Sequence, residues 1–374
     1  MKQRRQTRAA AIAAAVTGIV LGVAAATAAA GGTPGRTTVF ASGLEAPRGL
    51  TFDGFGNLYV AEGGTGGTLT TTPEQCDQVP GAGPYTAGFS SRVSRIDRFG
   101  RRTTVADGLP SSATNPAIGG FVSGVADVKF LGGQLYAIEA GAGCSHGSIG
   151  THNSVLRVNL FTGRTTDVAD LSAFLQANPV AAPNPADFEP DGTWYSMVPF
   201  AGALYAVEPN HGEVDRISPF TGRISRLADV SATYGHVVPT AISEHDGSLY
   251  FGNLGTFPIM PGSDSIYRLT LGGRLSVVAT GLTTVLGTTW DGCGRLYALE
   301  SMTNPGFPIP QMNGGSGTVV RLGRDGSQTP VVTGLDFPSA MAFGPDGDLY
   351  ISNDGFGPPT GTIVRADLGR DCRG

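Results

Sequence analysis

The chain has 374 residues, only 15% of them charged, and its 25 Lys and Arg against 30 Asp and Glu leave a formal net charge of -5. An acidic balance without any Lys/Arg cluster excludes ordinary nucleic-acid binding and argues against attachment to an anionic membrane surface. The low charge and the 57 glycines suit a turn-rich β protein with many tight hairpins.

Residues 1–30 read as a secretory signal. Lys2, Arg4, Arg5 and Arg8 precede the apolar run Ala9 to Val23, and Ala28-Ala29-Ala30 forms a small-residue cleavage pattern before Gly31. An uncleaved anchor is the rival reading of this segment. No second apolar run is long enough to span a bilayer, so the mature chain is expected to be exported, soluble and away from the membrane. Cleavage removes four positive charges and takes the net charge from -5 to -9. Residues 31–374 are expected to form one domain.

From Pro47 onward the chain repeats itself. A Leu-Tyr pair followed three residues later by Glu or Asn occurs at Tyr59/Glu62, Tyr136/Glu139, Tyr205/Glu208, Tyr250/Asn253, Tyr297/Glu300 and Tyr350/Asn353. Each copy reads as strand, turn, strand, loop, a third strand with Arg before an apolar residue (Arg95, Arg157, Arg216, Arg268, Arg321, Arg365), a glycine turn and a fourth strand. A unit of four antiparallel strands cannot bury its own apolar face, so six copies predict a six-bladed β-propeller. Insertions at 63–91, 140–154 and 301–317 fall between second and third strands, which puts them on the face that also carries the links between blades. Blade six runs out of chain after three strands. Thr37 to Ala41 is therefore expected to supply its fourth and close the ring.

Four cysteines in an exported chain predict disulfides. Cys76 and Cys144 fall in neighbouring insertions on the loop-rich face, Cys293 and Cys372 on the opposite face, so Cys76–Cys144 with Cys293–Cys372 keeps partners together.

Four segments go beyond the repeat: Gly143-Cys144-Ser145-His146-Gly147, Asp187-Phe188-Glu189-Pro190-Asp191-Gly192, Pro209-Asn210-His211-Gly212-Glu213 and Gly252-Asn253-Leu254-Gly255-Thr256-Phe257-Pro258. In this order, with the six repeats, they resemble the ScyD/ScyE family of exported propellers over Arg36 to Cys372. That family is named for a gene cluster of the pigment scytonemin, and the resemblance brings no motif with an assigned catalytic role. The blades are more distantly similar to NHL and YWTD repeats, where an acidic residue also follows the aromatic by three.

Chemistry is harder to read. The ring Glu62, Glu139, Glu208, Asn253, Glu300 and Asn353 recurs in every blade, which points to a structural duty: accepting backbone N–H bonds or pairing with the third-strand Arg. Aligning the inner strands puts Pro47-Arg48, Val125-Ala126, Trp194-Tyr195, Pro239-Thr240, Val285-Leu286 and Pro338-Ser339 at the loop-rich end of the central channel. For a binding protein the candidates are Arg48 as an anion clamp, Asp127, Trp194 and Tyr195 as stacking rings, and Asn210, His211 and His236 as hydrogen-bonding groups. His146 and His152 lie in the blade-two insertion and His245 on the opposite face. The alternative is a metal-dependent hydrolase of the lactonase type, with Asp127 and Glu139 holding Ca²⁺ or another divalent cation that polarises a carbonyl, or another propeller enzyme acting at the central channel. Asp187 to Asp191 reads as a Ca²⁺ loop or, more simply, a solvated linker. The expected role is a monomer binding a small molecule or extracellular polymer on its loop-rich face.

Overall fold

The computed structural model describes residues 35–303, 314–356, 360–369 and 372. The signal reading of residues 1–30 and part of the third insertion lie outside these. Six antiparallel sheets stand around a common axis. Blade one contains Pro47–Phe52, Leu58–Glu62, Thr86–Ile96 and Arg102–Ala113, with a two-residue fifth strand, Val122–Ser123. Blade two contains Val125–Leu131, Gln134–Glu139, Ser154–Val158 and Thr165–Asp170; blade three Ser196–Phe200, Ala203–Glu208, Glu213–Ile217 and Ile224–Asp229. Blade four contains Pro239–His245, Ser248–Asn253, Asp264–Thr270 and Leu275–Leu282, and blade five Val285–Trp290, Leu296–Glu300, Gly317–Leu322 and Gln328–Leu335.

Blade six has Ala340–Phe343, Leu349–Asn353 and Gly361–Asp367 from the end of the chain and Arg36–Leu44 from its start. Thr37 pairs with Ala366, Val39 with Val364 and Ala41 with Ile363, so the ring closes through the N-terminal strand. Ser339 Oγ and Ser352 Oγ donate to the carbonyls of Pro47 and Arg48, each at 2.6 Å, and so join blade six to blade one. Six buried clusters lie one between each pair of neighbouring blades, which is why a single blade has no core of its own.

The register fixes the duty of the repeated residues. Each repeat tyrosine sits opposite the third-strand arginine, from Tyr59 and Arg95 to Tyr350 and Arg365, one row in from the short-turn face. The Glu/Asn position lies at the other end of the strand, too far along it to pair with that arginine. Instead Glu62, Glu208, Glu300 and Asn353 accept the backbone N–H of Glu45, Thr193, Thr283 and Asp336, in the link entering their own blade. Asn253 reaches the same link in reverse, donating to the carbonyl of Val237.

Two short helices add to the strands. Leu171–Ala177 and Val230–Tyr234 follow the fourth strands of blades two and three, capped by Asp170 and Asp229, which accept the N–H groups of Ala173 and Ala232. Their matching sequences, Ala169-Asp170-Leu171-Ser172 and Ala228-Asp229-Val230-Ser231, carry the cap signal that the strand pattern hides. The cysteines pair as Cys76–Cys144 and Cys293–Cys372.

Candidate functional site

The channel is capped at its loop-rich end. Tyr195 comes from blade three and donates its hydroxyl to the carbonyl of Ser339 in the link to blade six, at 2.6 Å, so its ring spans the axis between opposite blades. Burial pushes the phenol up to about 12, which keeps it a donor. Arg48 is buried beside it, donates to the carbonyl of Val122 and lies over the Phe356 ring at 4.3 Å. Desolvation lowers its pKa, yet the guanidinium stays charged. From this cap a cavity of about 450 Å³ follows the inner strands to Phe52, Glu244, Trp290 and Phe343. Inner-strand residues are buried at the loop-rich end and half-exposed at the other, so the cavity opens toward the short turns.

Several expected roles change accordingly. Arg48 and Tyr195 close the channel instead of presenting an anion clamp and a stacking ring. Trp194 is fully buried, with Nε1 3.4 Å from Asp215 Oδ2, so no ligand reaches its face. Asp127 is a latch between blades: Oδ2 accepts from the Met197 N–H (2.9 Å) and Ser196 Oγ (3.0 Å), and Oδ1 meets Lys129 Nζ at 2.5 Å.

Glu139 departs from the ring pattern. Its Oε1 accepts the following N–H groups of Ala140 and Gly141, both at 3.1 Å, while the buried Oε2 has no partner. Burial pushes the carboxyl up to about 8, so it is largely protonated at neutral pH. Among the described residues no three His, Cys, Asp or Glu side chains converge as metal ligands. With Asp127 fully engaged and Glu139 favouring its acid form, this pair does not fit the proposed cation.

On the loop-rich face, the segment from Asp187 to Asp191 is pinned by three histidines. Asp187 meets Asn210 Nδ2 at 3.0 Å and His236 Nε2 at 2.6 Å. His211 Nε2 lies 2.8 Å from the carbonyl of Glu189, whose carboxylate takes His146 Nε2 at 3.0 Å and the Tyr85 hydroxyl at 3.3 Å. His146 Nδ1 faces the carbonyl of Ala142 at 2.8 Å, so both ring nitrogens face acceptors and favour the imidazolium. Desolvation opposes that charge, but Glu189 outweighs it and the pKa is raised. Asp191 Oδ2 accepts from the N–H and hydroxyl of Ser145, at 2.8 and 2.6 Å. Each carboxylate of the segment thus serves a different protein donor, and none turns toward a shared cation.

Beside this segment lies a groove of about 610 Å³. One wall is the Pro73 to Asp77 stretch with the Cys76–Cys144 disulfide, the other Leu175 to Asp191 with Phe188 and His211. Phe188 and His211 pack with ring centroids 4.6 Å apart. His211 Nε2 donates to a carbonyl, and its buried Nδ1 has no protein partner. Glu74, Asp77 and Asp191 line the groove and no Lys or Arg does. Sequence reasoning singled out Asn210, His211 and His236 on this face but missed His146 and Tyr85, because the partner they share lies far along the chain.

No family model matches the sequence, and no curated protein does. Among solved structures the chain is similar to a glucose dehydrogenase (14% identity, 89% of this chain and 99% of that one, TM-score 0.54). It is also similar to regucalcin, a calcium-binding protein from Agrobacterium tumefaciens strain C58 (15% identity, 90% and 96%, TM-score 0.51). A third is a streptogramin B lyase (15% identity, 90% and 98%, TM-score 0.50). At such identities the likeness establishes the six-bladed propeller fold.

Proposed function

We propose that this is an exported, ScyD/ScyE-like binding protein that takes a small or extended extracellular ligand into the loop-rich groove. The observation that carries the reading is the groove of about 610 Å³ itself, walled by the Pro73 to Asp77 stretch and by Phe188, with Glu74, Asp77 and Asp191 in its lining and no Lys or Arg. A concave site with an apolar wall and a few polar groups is what a small ligand needs. Glu74, Asp77 and Asp191 favour a neutral or cationic ligand, and Phe188 offers a ring to lie against. Two disulfides suit an oxidising compartment outside the cytoplasm.

Calorimetric titration with an arylalkylamine, and with the matching aryl carboxylate, tests this. Saturable binding of the amine alone is expected, and Pro183→Arg, a charge placed at the exposed groove rim, should weaken it by about tenfold. The lactonase alternative is read in the same preparation. Chelator-sensitive hydrolysis of simple lactones, lost in Asp127→Asn, would overturn the binding reading.

A further inference from the structure

The four most exposed large apolar side chains among the described residues are all phenylalanines on the short-turn face: Phe161 at 99%, Phe55 at 94%, Phe220 at 84% and Phe99 at 66%. Register places them there independently. Phe52, Leu58, Ile96 and Arg102 form one row across blade one, so its first and third turns, carrying Phe55 and Phe99, project beyond the same edge. The turns between Val158 and Thr165 and between Ile217 and Ile224 project Phe161 and Phe220 likewise. Leu271 occupies the equivalent turn of blade four and is also exposed.

Arginine accompanies each of these outer turns. Arg101, Arg164, Arg223 and Arg274 end the turns of blades one to four, and Arg324 lies in that of blade five. All are exposed. Arg101 pairs with Asp97, whereas Arg164, Arg223, Arg274 and Arg324 have no ion-pair partner among the described residues. Asp53, Asp246, Asp291 and Asp346 sit in the turns nearer the axis; the outer turns carry only Asp97, beside Arg98 and Arg101, and Asp325, beside Arg324, so the net positive charge lies in the outer arc and is strongest in blades two to four. The chain has no basic run, yet five of the six blades deliver an arginine to one rim.

We infer that the short-turn face docks on an anionic phospholipid surface, with Phe55, Phe99, Phe161 and Phe220 entering the headgroup boundary and the outer-turn arginines meeting lipid phosphates. The charge alone would suit any polyanion. Protruding single phenylalanines select the bilayer, because a soluble polyanion has no apolar interior to receive them, whereas an interface accepts aromatic side chains and attracts nearby cations. Axial turn tips of successive blades can meet one plane together, which suits a flat surface. In this orientation the acidic groove faces away from the lipid.

Sedimentation of the exported chain with phosphatidylcholine vesicles, with and without phosphatidylglycerol, tests the inference. All variants share the same N-terminus, so any contribution from it cancels. Binding should require phosphatidylglycerol. It should fall about fivefold for each of Arg164→Gln, Arg223→Gln and Arg274→Gln, and on the order of tenfold in Phe161→Ser with Phe220→Ser. Thermal unfolding should be unchanged in the serine variant, since neither ring packs against the protein. Absence of vesicle binding would overturn the inference. So would binding that survives both serine changes, or dextran sulfate binding that matches the vesicles and ignores the phenylalanines, since either marks a site for charge alone.

Discussion

The two faces of the ring use the same residue types in opposite ways. On the loop-rich face polar groups are folded inward: Glu189, Asp191 and Glu208 are buried, and each accepts hydrogen bonds from named donors. On the short-turn face Arg164, Arg223 and Arg274 have no ion-pair partner among the described residues, and Phe55, Phe161 and Phe220 are almost fully exposed. A loop gains a fixed shape only by spending its side chains on itself, and what remains for a partner is the shape and charge of the groove it leaves. A hairpin turn is already fixed by its strands and its glycine, so its side chains are free for a partner.

Substitutions should reproduce this contrast in stability. The largest effect is expected for His146→Ala, which leaves Glu189 charged and buried; losing one partner of such a pair costs about 3–5 kcal/mol. Denaturant unfolding measures it, and a loss under 1 kcal/mol would mean that the loop-rich face is not held by this pair. Removing the Cys76–Cys144 bridge with a double serine variant should cost about 2–4 kcal/mol and loosen the Pro73 to Asp77 wall.

Acidity should separate the faces next. Burial raises Glu139 to about 8, Glu62 and Glu213 to about 7 and Asp264 to about 6, and their strand ends all lie toward the loop-rich face. A carboxyl raised by folding contributes stability that is complete below its ordinary pKa and is lost as pH climbs through the folded value. The raised His146 acts in the same direction. Asp97, Asp229, Asp291 and Asp325 are lowered, so they oppose this only in more acid solution, near and below their ordinary range. The melting temperature should therefore rise as pH falls from about 8.5 to about 5, across the ordinary and raised carboxyl values. Glu139→Gln should flatten the alkaline part of that profile. The smallest effect belongs to the other face, where Phe161→Ser should change stability by less than about 0.5 kcal/mol.

The architecture was legible because it repeats. Six Leu-Tyr pairs, six third-strand arginines and a missing fourth strand determine blade number and closure before any contact is known. The site was less legible, since its contacts join residues far apart: Tyr85 and His146 reach Glu189, and Tyr195 reaches Ser339. Aligning the inner strands put both Trp194 and Tyr195 at the channel end; only Tyr195 reaches across the axis, while Trp194 packs between blades two and three, because alternation along a strand does not say which ring turns into a blade interface. The short-turn rim stayed hidden for the opposite reason. One arginine per turn looks like scatter until the blades bring the turns together.

The central claim is that the two faces serve two partners, and hydrogen exchange with each partner in turn tests it most directly. An arylalkylamine should protect amides in residues 73–77 and 175–191, while vesicles containing phosphatidylglycerol should protect the turns around Phe99, Phe161 and Phe220. Two separate footprints are expected. Protection of the same residues by both, or of the channel strands from Arg48 to Phe52 by the amine, would contradict it.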